Sequence, residues 1–175
     1  MANKKYAKNV VEAKDGRIRA PEREGKLCNS LTIGRTQYSE AANWFYVGLI
    51  YKAGAGYGCG DAMEETLPDG TKRVWQTTPH THKLPETFIF TGTDPKNPRD
   101  LGGEVEVWLG EGEAAEKYVI TKTTAIFIPA GVVHSPVWVN RVDRPFIFMA
   151  VLNDPEGSEE EGSFKLPPGF PKHSK

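Results

Sequence analysis

The chain has little cysteine: Cys28 and Cys59 are the only two in 175 residues. Two do not make a disulfide framework, and no secretory apolar segment precedes them, so reduced thiols in the cytoplasm are expected. Long hydrophobic runs are missing. The longest lies near "NWFYVGLIY" (residues 43–51), far short of the about 20 residues a membrane span needs. No excess of one charge exists either. The net charge is −1, which argues against nucleic acid or an anionic membrane as partner. Between residues 30 and 153 no sustained 3.6-residue period with caps appears, which excludes a helical bundle. A phosphate-binding glycine motif is absent too. "GAGYGCG" (54–60) follows a strand pattern, but no helix pattern comes after it to offer an N-terminus to a phosphate.

What remains is a globular composition, 38% hydrophobic and 26% charged, in a length that suits one domain. Residues 1–36 read as an extended polar arm, 37–153 as a β-domain, and 154–175 as an irregular tail that Phe164 and Phe170 would pin. "WFYVGLI" reads as a strand buried on both faces. Further short strands fall at "KRVWQTT", "ETFIFT", "EVEVWLG", "KYVITK", "TAIFI", "PVWVN" and "PFIFMAVLN". "GTDPKNPRDLGG" (92–103) separates two of them as a long loop. Seven to nine short strands divided by turn residues predict an all-β sandwich or barrel.

The chemistry concentrates in "TTPHTHKLPETFIF" (77–90). His80 and His82 share one face of an extended segment, and Glu86 has the same parity. Pro85 marks an edge or a bulge, so Glu86 either joins the histidines as a ligand or stands off as an acid or base. Imidazole nitrogens and a carboxylate form a normal donor set for a divalent transition metal, but one strand cannot close a site alone. His134, in "IFIPAGVVHSPVW", is the only other histidine outside the tail, which makes His80, His82, Glu86 and His134 the candidate ligands. His134, Pro136 and Trp138 are expected on one face. Trp44, Tyr46, Phe88 and Trp138 are candidates to line a pocket, with core packing as the alternative for each. Lys52, Arg73, Arg141 and Arg144 are candidate anchors for an anion, or simply surface charges.

Together "HTHKLPE" and "PAGVVH" resemble the two cupin motifs, H-x-H-x3-E and P-x-G-x2-H. The resemblance covers about residues 44–152. It implies a double-stranded β-helix (jelly-roll) barrel. It also implies a metal held by His80, His82, Glu86 and His134, with Fe, Mn, Ni, Co or Zn all compatible with the donors. It further implies a metal-dependent dioxygenase, isomerase or lyase acting on a small molecule, with a non-catalytic ligand-binding module as the alternative. A homodimer is expected, since such barrels commonly pair. The segment between the motifs is longer than the pattern requires, and Trp138 stands where the pattern often has asparagine, with Asn140 two residues on.

Overall fold

The computed structural model describes residues 30–35, 38–51, 53–55, 63–66, 72–75, 79–157, 160–161, 164–165 and 168. Most of the N-terminal arm, both cysteines, Lys52 and Phe170 lie outside the described residues.

Among the described residues the chain is built from β-strands, with a single 3-10 turn at Gly112–Ala114 and no α-helix. One sheet has the order β1 (Ser30–Ile33), β2 (Trp44–Ile50), β12 (Phe146–Leu152), β7 (Glu86–Thr91), β10 (Thr124–Ile128). The second runs β13 (Glu160–Glu161), β6 (His80–Thr81), β11 (His134–Val142), β8 (Asp100–Leu109), β9 (Glu116–Lys122), and β3 (Gly54–Ala55) also pairs with β11. A separate hairpin joins β4 (Met63–Thr66) to β5 (Lys72–Trp75). From β6 onward the chain passes repeatedly between the two main sheets, and every pairing is antiparallel. This is the all-β jelly-roll barrel that the cupin resemblance implies.

Period-two patterning explains the packing. In β2, β7 and β12 every second side chain is buried, and the inward set contains Tyr46, Phe88, Phe90, Phe146 and Phe148. Phe148 is the hub, 4.9 Å from Phe90 and 5.3 Å from Phe88 between ring centroids. Each such ring contributes about 2–3 kcal/mol on burial. The inward faces of Val105, Val107, Val137 and Val139 close the core from the other sheet.

Three expectations change. The odd-numbered face of β2 is half-buried, not buried, because nothing among the described strands covers it as the barrel interior covers the even face. The "GTDPKNPRDLGG" segment is a loop only to Arg99: Asp100–Gly103 already belong to β8. Glycine conceals that strand start in the sequence but permits it in space. A Cβ on Gly103 would sit 2.5 Å from the Arg141 carbonyl oxygen, and Gly102 has φ +81°. Ser30–Ile33, read as part of the arm, is an edge strand paired with β2. Trp108, which follows the inward Val107 on β8, is buried as well, with the Lys117 ammonium 5.5 Å from its ring.

Candidate metal centre

The two histidine motifs meet because the backbone ties them together. His80 pairs with His134 across β6 and β11. The Pro129–Val132 turn, with Gly131 at φ +76°, sends the Gly131 N–H to the His82 carbonyl at 2.9 Å. The P-x-G spacing therefore folds the second motif directly against the first.

Glu86 arrives by a different route from the one strand parity suggested. The chain bends at exposed Lys83 and Leu84, and Pro85 is the last residue before β7. His80 belongs to one sheet and Glu86 to the other. Their equal parity on a single continuous strand is thus not the reason they converge. The crossing at Pro85 aims Glu86 inward from the facing sheet.

His80, His82, Glu86 and His134 are all buried, at 2%, 5%, 4% and 1% exposure. One ligand atom from each lies within 4.8 Å of all the others. Glu86 Oε2 is 2.9 Å from His134 Nε2 and 3.2 Å from His82 Nε2. Two ligand atoms adjacent on an octahedron of about 2.1 Å radius stand about 3.0 Å apart. The observed separations match that spacing.

The hydrogen-bonding argues the same way. His134 Nδ1 lies 2.9 Å from the Val132 carbonyl oxygen. A carbonyl can only accept, so Nδ1 donates and Nε2 of the neutral ring carries a bare lone pair. That lone pair faces a carboxylate oxygen, an acceptor facing an acceptor. Only a cation between them, a proton or a metal ion, makes the contact favourable. Burial raises the Glu86 pKa, but hydrogen bonds and charge from His134 and His82 outweigh it and hold the group at about 2, down from 4.5. The donor set fits a divalent metal.

The pocket candidates divide. The Phe88 ring is fully buried and edge-on to His134 at 5.8 Å. Trp44 and Tyr46 face the interior, stacked at 6.2 Å, and belong to the core cluster. Trp138 does not share a face with His134. A register shift between His134 and Val137 inserts an extra residue, which turns Val137 and Val139 inward and Trp138 to the opposite side, half-buried. Ser135 sits at that bulge with φ +70°, fully buried, its Oγ without a hydrogen-bond partner. Nothing in the sequence flagged it. Arg141 pairs with Asp143, and Arg144 pairs with Asp100 at 2.8 Å; both arginines lie at the far end of β11 and β8 from His134. The side chain of Arg73 is outside the described residues.

No protein-family model matches this chain and no curated protein does. Among solved structures it is similar to oxalate oxidase in complex with the substrate analogue glycolate, at 12% identity and TM-score 0.49, over 91% of this chain and 66% of that one. It is also similar to hydroxypropylphosphonic acid epoxidase from S. wedmorenis, at 12% identity and TM-score 0.37, over 65% of this chain and 44% of that one. The chain thus spans about half to two thirds of the length of the structures it matches. At this level of similarity the reading rests on the strands and side chains themselves. No helix among the described residues is long and apolar enough to cross a membrane. By its own strand order the chain is a jelly-roll barrel, and the two motifs that resemble the cupin pattern meet inside it.

Proposed function

We propose that the chain is a metal-dependent enzyme acting on a small molecule, with His80, His82, Glu86 and His134 as the protein ligands of one divalent transition metal. The observation that carries this reading is the convergence of four buried donors in which Glu86 Oε2 faces the lone pair of His134 Nε2. Four protein ligands would leave positions open for water, O2 or a bidentate substrate, so the bound metal would supply a Lewis acid or an oxygen-binding centre.

The residues around it bind and orient. The Val132 carbonyl fixes the His134 tautomer, the Gly131 amide anchors the His82 backbone, and Phe88 walls the site with an apolar face. One carboxylate against a dication leaves the centre one unit positive in a buried place. That favours a small anionic ligand, such as a carboxylate, over a neutral one. Dioxygenation, isomerisation and lyase chemistry are all served by such a centre, and the fold does not choose among them. In this reading the enzyme works in the cytoplasm, with its two cysteines reduced, and pairs with a second copy of itself.

The test is elemental analysis of the purified protein and of His82→Ala. A stoichiometric divalent metal in the parent, lost from the variant, is expected. Absence of metal after anaerobic reconstitution with Fe(II), Mn(II), Co(II), Ni(II) and Zn(II) in turn would sink the reading. Oxygen uptake with small carboxylates then separates oxidative from non-oxidative chemistry, and binding without turnover would mark a ligand-binding module instead.

A further inference from the structure

The candidate metal centre is closed. Its four ligand side chains are at most 5% exposed, so neither an ion nor a small ligand reaches it unless something moves. The strands around it differ in how firmly they are held. Glu86 opens β7, which pairs with β12 over six residues and with β10 over five. His134 opens β11, which pairs with β8 out to Val142. His80 lies on β6, only two residues long, and the outer edge of β6 is paired with β13, the two residues Glu160–Glu161. Glu161 stands opposite His80 and Glu160 opposite Thr81. Among the described strands that bear no ligand, β13 is the shortest one paired beside a ligand. Two residues at a sheet edge form few backbone hydrogen bonds, and such segments open at the lowest free energy in a fold.

The chain on either side of β13 is tethered, firmly before it and lightly after it. The Asn153 N–H donates to the Pro85 carbonyl at 3.2 Å, next to Glu86. Asp154–Gly157 then form a tight turn, in which the Glu156 N–H reaches Asp154 Oδ1 and the Gly157 N–H reaches the Asp154 carbonyl, both at 3.0 Å. Arg35 fastens this turn twice. Its N–H donates to the Pro155 carbonyl at 2.8 Å, and its guanidinium meets Glu156 at 2.9 Å. Gly157, at φ +65°, lies against the Trp44 ring, where a Cβ would come within 2.9 Å. Trp44 shares a row with Leu152 and Glu86 across the sheet. After β13 the ties are longer: the Gly112 N–H reaches the Lys165 carbonyl at 3.1 Å, and the Lys165 N–H reaches Glu111 Oε2 at 3.3 Å. Glu111 lies two residues past Leu109, the partner of His134. The described points of this segment thus fall beside Glu86, His80 and the neighbourhood of His134 in turn, from one sheet to the other.

We propose that β13 is a gate. Release of Glu160–Glu161 from His80–Thr81, pivoting on the Asp154–Gly157 turn, opens the edge of β6, and the ion and a small ligand pass there. The passage of an ion rests on the metal reading above; the opening itself is a property of the chain. β6 cannot serve as the moving part, since it carries His80 and its departure would dismantle the centre. β13 carries no ligand, so it can leave and return with the four donors in place.

Glu160→Pro combined with Glu161→Pro, in the full chain, removes both N–H groups of β13 and leaves the Asp154–Gly157 turn intact. Circular dichroism checks the fold, and Glu161→Pro alone, opposite His80, serves where the double variant does not fold. The first readout needs no metal. Diethyl pyrocarbonate acylates neutral imidazole, and mass spectrometry of chelator-treated protein follows His80, His82 and His134. These should react about tenfold faster or more in the variant, because the open form is no longer rare. The second readout is Co(II) uptake and release by stopped flow. A gate lowers the barrier in both directions, so both rates should rise by the same factor and the Kd should stay within about twofold. Equal histidine reactivity in parent and variant would overturn the proposal. So would a Kd that weakens as release quickens, since β13 would then be a prop that holds His80 in position. A parent that binds no Co(II) would sink the metal reading, and the histidine reactivity would then decide the gate by itself.

Discussion

Replacing Glu86 by glutamine keeps the shape of the side chain and removes its charge. The structure sets the size of the effect. The carboxylate lies 2.9 Å and 3.2 Å from two imidazole nitrogens and is 4% exposed, so solvent screens it little. Burial alone would raise its pKa; the two histidines reverse that and hold it at about 2, from an ordinary 4.5. A difference of that size is a preference for the charged form of about 3 kcal/mol. A dication between the same groups interacts at least as strongly as the proton it replaces. Glu86→Gln should therefore weaken divalent-metal binding by about 3 kcal/mol, on the order of a hundredfold. Competition of Co(II) or Zn(II) against a chromophoric chelator at neutral pH measures this directly. The metal-free protein gives a second readout. A depressed carboxylate pKa contributes stability that is fully present above the unfolded-state value of about 4.5 and is lost as pH falls toward 2. Urea unfolding of the metal-free parent should lose stability across that window, and the glutamine variant should lose about 3 kcal/mol less there. Equal metal affinity in parent and variant, or identical acid profiles, would refute the reasoning.

Three further outcomes follow from local geometry. Ser135 combines φ +70° with a buried hydroxyl lacking a partner, so Ser135→Gly should raise stability to urea by about 1 kcal/mol, and a loss would mean the hydroxyl is bonded after all. Gly103→Ala would place a methyl 2.5 Å from the Arg141 carbonyl oxygen and 2.9 Å from Phe146, and should cost about 3 kcal/mol, seen as a lowered unfolding midpoint. Removing the metal with a chelator should lower the melting temperature, because a ligand held at a hundred times its Kd adds about 2.7 kcal/mol to the folded state. An unchanged melting curve would exclude a bound ion under those conditions.

The barrel was legible because period-two burial runs cleanly through "ETFIFT" and "PFIFMAVLN", where alternation in sequence is alternation in space. The donor set was legible because three of the chain's four histidines fall in two spaced motifs. Other features escaped for identifiable reasons. Strand β8 begins at Asp100, but Gly102 and Gly103 carry no side chain, so periodicity cannot register them. The face of Trp138 was misread because parity holds only along an unbroken ladder. The extra residue at Ser135 flips the side chains that follow it, as far as the next register shift after Val139, and residue order alone gives no sign of that.

Pro85 raised the sharpest question in the sequence, whether Glu86 reaches the histidines. The two-sheet architecture answers it. His80 and His134 are held by neighbouring strands of one sheet, and His82 is anchored to the turn that precedes His134. Glu86 comes from the first position of β7 in the other sheet. A proline has no N–H to give to a ladder, so the chain can leave one sheet at Pro85 and enter the next without stranding a donor. The Pro85 carbonyl still accepts the Asn153 N–H, just past the end of β12, which fixes where β7 starts. Glu86 is then the one candidate ligand whose bond to a metal would tie the two sheets together at this end of the barrel. Hydrogen exchange gives that coupling a measurable form. On chelation the amides of Glu86–Phe88 and of His80–His82 should lose protection together, while those of β9, at the far edge of its sheet, should not change. Faster exchange confined to the histidine strands would mean that Glu86 stands off from the ion and that the two sheets are joined by packing alone.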